Sequence, residues 1–132
     1  MTDLLERLHA LLSGHDEVRV AIVFGSRARG TARPDSDLDL AVVAPGVDLV
    51  ALGAELGAAL GVELDVIGLG DPPIPLLDQI VQEGIVVHEA HPGAGALWRS
   101  HTLATLETDR PWYDRMSNAW LARVAKEGLG RG

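Results

Sequence analysis

Apolar residues along this chain recur with two different periods, and the switches between those periods mark out its elements. Leu4, Leu5, Leu8, Leu11 and Leu12 fall at helical spacing behind a D-x-x-E capping pattern of Asp3 and Glu6, and Gly14 closes the run, which predicts a helix over 3–13. Residues 18–24 alternate instead, with Val18, Val20, Ile22 and Phe24 on one face and Arg19, Ala21 and Val23 on the other, as in a strand. A short helical turn over 26–30 and a loop over 31–36, broken by Pro34, separate it from a second alternating run over 37–43. There Leu38, Leu40 and Val42 point to a core, and Asp37 and Asp39 share the opposite face.

The pattern continues after the Ala44-Pro45-Gly46 turn. Asp48 is placed to cap a helix that ends at Gly61, and within it Gly53, Gly57 and Gly61 recur every four residues, a stripe that predicts close packing against the sheet. Residues 62–68 form a third, apolar strand, expected in a central position, with Val62, Leu64 and Val66 on one face and Glu63, Asp65 and Ile67 on the other. An Asp71-Pro72-Pro73 turn leads into a helix over 75–83 that turns Leu76, Leu77, Ile80 and Val81 inward and stops at Gly84, followed by an edge strand over 85–88. A Pro/Gly/Ala linker over 90–96 then precedes two amphipathic helices, 97–107 and 111–126, the second capped by Asp109. Its stripe of Trp112, Met116, Trp120 and Val124 fits either packing back on the domain or a partner surface. These elements predict an α/β (α+β) domain: a small mixed sheet with helices on it over 1–90 and a C-terminal helical extension over 91–132.

Length and charge narrow the functions this pattern can serve. A chain of 132 residues is one compact domain that can bury a core without staples, and zero cysteines leave no disulfides or thiolate metal sites. No apolar run approaches a membrane span and the first residues lack a basic leader, so a soluble, cytoplasmic protein is expected. The net charge of −8 argues against general nucleic-acid binding. Against that background the positive charge is local: Lys126 is the only lysine, and Arg27, Arg29 and Arg33 cluster between the first two strands.

That loop joins the two ends of a candidate site. Two carboxylates forced onto one strand face repel each other, and the arrangement makes sense around a cation. Mg²⁺ is the natural candidate, since it prefers oxygen ligands and no Cys or His lies nearby in the chain. Gly25-Ser26 supplies a corner where backbone can approach a phosphate closely. His88 and His91, although spaced HxxH, have no third ligand in view and read as ordinary surface residues.

Gly25-Ser26, ten intervening residues and Asp37-x-Asp39, set between two apolar strands, resemble the signature of the DNA polymerase β-like nucleotidyltransferase superfamily. The wording GSRARGTARPDSDLDLAVV and the segment PIPLLDQIVQEGIVVHE look most like the minimal nucleotidyltransferase (MNT) family, with the likeness running from the first strand to Glu89. The resemblance implies two Mg²⁺ ions at Asp37 and Asp39, with Asp65 as third metal carboxylate and Glu63, on the same face but nearer the strand's start, as its competitor. It implies nucleotide binding by Gly25, Ser26, Arg27, Arg29 and Ser36, and transfer of AMP from ATP. MNT proteins are commonly paired with HEPN-domain ribonuclease toxins, so the expected partner is such a toxin, neutralised by AMP on a hydroxyl, a tyrosine being favoured. A small-molecule transferase of the aminoglycoside-modifying kind and a binding-only antitoxin are the alternatives. The intact carboxylates favour an enzyme.

Overall fold

A strand that is apolar on both faces needs a cover on each, and the arrangement of the chain follows from that need. The computed structural model describes residues 2–70 and 72–108. Its elements are α1 (Thr2–Leu12), β1 (Val20–Phe24), α2 (Ser26–Arg29), β2 (Leu38–Val43), α3 (Leu49–Leu60), β3 (Leu64–Gly68), α4 (Ile74–Glu83), β4 (Ile85–Glu89) and a last helix, α5, over 94–108. The strands form one mixed sheet in the order β3-β2-β1-β4, with β1 antiparallel to both β2 and β4 and β2 parallel to β3.

On one face, Leu8 and Leu12 of α1 and Leu52, Leu56 and Leu60 of α3 pack on Ala21, Val23, Leu38, Leu40 and Val42. On the other, Val20, Ile22, Phe24 and Ala41 meet Ile80 of α4 and Ala94 of α5, and Leu77, Val81 and Leu106 join those two helices together. Each fully buried leucine in these layers contributes roughly 1.5–3 kcal/mol relative to exposure. All five strand residues of β1 are buried, so β1 is the axis of the molecule.

Local signals account for most boundaries. Asp48 caps α3 by accepting a hydrogen bond from the Ala51 amide at 3.1 Å. The glycines of α3 pack as their spacing predicts: a Cβ at Gly57 would lie 2.9 Å from the Val62 carbonyl, and one at Gly53 would lie 3.3 Å from Val66. Gly61 differs from the other two, because it ends the helix in the left-handed conformation (φ 71°) and has no neighbour to make room for.

Four expectations need correction. The strand carrying Asp65 is an edge strand, not a central one, because β1 takes the middle of the sheet through its two antiparallel partners. Val18 lies ahead of β1 and joins the α1 and α3 core, away from Val20, Ile22 and Phe24. The first helix already includes Thr2, so Asp3 stands inside it rather than at its cap. The supposed linker over 90–96 is partly helical: α5 starts at Ala94, and the Gly95 amide donates to Glu89 Oε1 at 2.9 Å, with Val86 Cγ1 only 3.0 Å from where a Gly95 Cβ would sit. The predicted second C-terminal helix and its Trp112, Met116 and Trp120 stripe lie outside the described residues.

Candidate active site

The site begins where β1 ends. Gly25 follows Phe24 at φ 79° and ψ −155°, a conformation that strains any side chain, and a Cβ there would collide with Asp39 Oδ2. Glycine at this corner lets β1 turn into α2 while the Asp39 carboxylate stands directly against the backbone. Ser26 then opens α2, a single turn in which the Ala28 and Arg29 amides both donate back to the Gly25 carbonyl at 3.1 Å.

Register carries the carboxylates to the same place. Phe24 pairs with Asp39 across β1 and β2, and Asp39 pairs with Asp65 across β2 and β3, so one row crosses three strands just beside the glycine corner. Asp37 stands one residue before β2 and is exposed. Burial first, then repulsion from Asp65 and from Asp37, pushes the Asp39 carboxyl above the usual carboxylate range, with Glu83 adding to the rise and Arg29 opposing it. Asp65 therefore acts on Asp39 directly, whereas Glu63 gives β2 its backbone carbonyl, accepting from the Leu38 amide at 2.9 Å.

This donor set suits a hard divalent cation. Among the described residues no group of three or more His, Cys, Asp or Glu side chains is gathered tightly enough to hold an ion alone. Carboxylates that repel one another beside the glycine corner still match Mg²⁺, which is usually held by one or two carboxylates while waters and substrate phosphates complete its shell.

The expected nucleotide ligands of the loop separate into different roles. Arg27 Nη2 donates to the carbonyls of Ser36 at 2.7 Å and Pro34 at 3.4 Å, while its buried Nε has no hydrogen-bond partner among the described residues. Its guanidinium thus stitches the loop that leads into β2. Ser36 contributes from the same loop, its hydroxyl accepting from the Arg33 amide at 2.8 Å. Arg29 Nη1 donates to both oxygens of Glu83, at 3.0 and 3.1 Å.

Glu83 is the residue that reading the sequence missed. From the last turn of α4 it accepts from the Gly25 amide at 2.5 Å, from Arg29 and from Gln79 at 3.3 Å. Burial works against its charge, but the Gly25 amide, Gln79 and Arg29 outweigh it, and its carboxyl titrates below the usual range. One signal was available: a carboxylate in the last turn of a helix opposes the helix dipole, and α4 has no basic residue there. Away from this corner, His88 Nε2 donates to the Val18 carbonyl at 3.1 Å and His91 is exposed.

A mixed sheet whose strand ends gather a glycine corner and a row of aspartates defines a nucleotidyltransferase-type domain. The chain belongs to the Polymerase beta nucleotidyltransferase family, whose pattern it matches over residues 6–92. Among solved structures it resembles a chain from a crystal structure of a toxin–antitoxin with AMP-PNP, at 21% identity, TM-score 0.75, over 89% of this chain and 98% of that one. It also resembles a chain from the tri-AMPylated Shewanella oneidensis HEPN toxin in complex with MNT antitoxin, at 20% identity, TM-score 0.69, over 92% and 99% of the two chains. A third, from the toxin–antitoxin MntA–HepT, is 19% identical with a TM-score of 0.70 over 92% and 99%. These likenesses establish the fold. No curated protein matches the chain by sequence. Among the described residues no helix is long and apolar enough to cross a membrane.

Proposed function

We propose that this protein is a Mg²⁺-dependent nucleotidyltransferase that moves AMP from ATP to a hydroxyl of a partner HEPN ribonuclease toxin and so neutralises it. The observation that carries this reading is the row from Phe24 through Asp39 to Asp65, because it sets a backbone corner suited to phosphates beside carboxylates suited to a cation. Support for the acceptor comes from the relatives of the same fold, one of them in a complex with AMP-PNP and one in a complex with a tri-AMPylated HEPN toxin.

Each residue then has a task. Gly25 and Ser26 form the surface on which the β- and γ-phosphates rest, and Asp37, Asp39 and Asp65 would hold the metal ions. When bound, Mg²⁺ supplies Lewis-acid stabilisation of charge on the attacking and leaving oxygens. The acceptor oxygen attacks the α-phosphorus, forming a new P–O ester bond as the α–β phosphoanhydride bond breaks and pyrophosphate leaves with its electron pair. Asp65, exposed on an edge strand, would take the proton of the arriving hydroxyl. AMP on the toxin adds negative charge beside an RNA-cleaving site and repels its substrate.

The test is incubation with ATP, Mg²⁺ and the HEPN partner, followed by intact mass measurement of that partner. One or more AMP additions, absent with Asp39→Ala, are expected. An unmodified but still inhibited toxin would refute transfer in favour of blocking by contact, and labelling of an aminoglycoside instead would redirect the reading to a small-molecule acceptor.

A further inference from the structure

Glu83 is a largely buried charge to which the proposed reaction gives no task, and its contacts are specific. Its side chain is 19% exposed and receives three donors from three elements: the Gly25 amide at the end of β1, Arg29 from α2 and Gln79 from α4. Gly84 fixes the place from which it reaches, since a Cβ there would collide with Ile22 Cγ2 of β1 and with the Ile80 carbonyl. The end of α4 is therefore pressed onto β1, and Glu83 has little freedom to lie elsewhere.

Two consequences follow for the site. The Gly25 amide, bonded to Glu83, holds the corner in its positive-φ, extended conformation against Asp39. Arg29, bonded to both oxygens of Glu83, is restrained beside the carboxylates rather than free to swing toward solvent. A tie to a backbone amide is stronger than an ordinary hydrogen bond when its acceptor is charged.

We infer that Glu83 is a positioning residue of the nucleotide site: its carboxylate fixes the Gly25 corner and stations Arg29 at the same time, and so sets the alignment of the triphosphate with Asp39. This rests on the nucleotidyltransferase reading and adds to it a residue from outside the signature. Glu83 touches neither substrate nor metal in this role. Its effect passes through Gly25 and Arg29, and it carries a cost, since a negative charge next to bound phosphates weakens their binding.

That opposition gives a signature that plain loss of structure would not produce. Glu83→Gln keeps the size and an oxygen for the Gly25 amide but releases Arg29 from its ion pair and removes the charge. It should lower kcat by roughly tenfold while also lowering KM for ATP about threefold, a split in which turnover and binding move in opposite senses. Glu83→Ala, which also leaves the Gly25 amide without an acceptor, should lower kcat by about a hundredfold, so that glutamine rescues much of the loss. Thermal melting of both variants and calorimetric titration with Mg-ATP accompany the kinetics. If glutamine and alanine are equally impaired with equal losses of Tm, or if KM rises with falling Tm, Glu83 is merely structural and the inference fails. Wild-type kinetics in Glu83→Ala would overturn it as well. Should Glu83→Ala not fold, the opposite movement of kcat and KM in Glu83→Gln decides alone. Failure of the wild-type protein to bind Mg-ATP would instead defeat the nucleotidyltransferase reading, and this inference with it.

Discussion

The two ends of the aspartate row are built differently. At the β1 end, the corner is tied down: Gly25 is buried, its amide is taken by Glu83, and Arg29 and Arg27 are both engaged in hydrogen bonds. At the β3 end, Asp65 is exposed on the outermost strand of the sheet. Glu63 and Leu69 turn their backbone groups toward β2, so by the alternation of a strand those of Leu64, Val66 and Gly68 face outward. The contrast teaches a division of labour. Among the described residues one end is closed by the chain's own contacts and the other is open, which on the proposed function would suit a constant nucleotide at the first and a large acceptor at the second.

Substitutions can break this contrast at either end. The largest effect is expected at its middle: Asp39→Asn should cut AMP transfer by about a thousandfold or more, measured as adduct formation at saturating ATP. In the absence of divalent metal the same change should raise Tm by about one to three degrees, because it removes a partly buried charge repelled by Asp65 and Asp37. A fall in Tm would show that the native carboxylate is not under such stress.

The next effect is at the closed end. Gly25→Val combines a forbidden backbone conformation with a collision against Asp39, and should cost roughly 2–4 kcal/mol of stability and most ATP affinity. Denaturant titration and calorimetry check both. The open end should respond in the opposite way: Asp65→Asn lowers turnover by about a hundredfold yet leaves stability within ~0.5 kcal/mol, since Asp65 is exposed. A large stability loss in Asp65→Asn would erase the distinction between the two ends.

The smallest effect lies remote from the site and serves as a control on it. His15 joins α1 to α3, with Nδ1 donating to the Leu11 carbonyl at 2.9 Å and Nε2 meeting Glu55 at 2.6 Å. The Leu11 carbonyl, and after it Glu55, raise its pKa despite some burial. A raised folded-state pKa means the stabilisation is complete below the unfolded value near 6.5 and fades as pH rises through the folded value. His15→Gln should therefore cost a few tenths of a kcal/mol at pH 6 and less at pH 8.5, by denaturant titration, because Glu55 is largely exposed.

Much of this architecture was legible because it rests on local chemistry. Alternation placed β1 and β2 within two residues, Asp48 announced α3, and the glycine corner and the paired aspartates stood out once their combined spacing was set beside a known signature. Strand order was not legible: nothing in the 62–68 pattern distinguishes an edge strand from a central one, since both are apolar and only the partners differ. Long-range hydrogen bonds were hidden for the same reason. Gly25 and Glu83 lie 58 residues apart, and the loop arginines look equivalent until folding gives Arg27 to carbonyls and Arg29 to a carboxylate. The start of α5 was masked by its Pro/Gly/Ala composition, which resembles a linker yet suits a helix end packed closely on β4.

The alternation of β2 has an effect beyond catalysis, on how the sheet assembles. Leu38, Leu40 and Val42 face the core under α1 and α3, while Asp37 and Asp39 mark the other side. A strand flipped by one residue would drive those carboxylates into the leucine layer and turn the leucines out, at a cost of several kcal/mol per unpaired charge. The same alternation that sets Asp37 and Asp39 at the glycine corner thus also fixes the register of the strand that bears them.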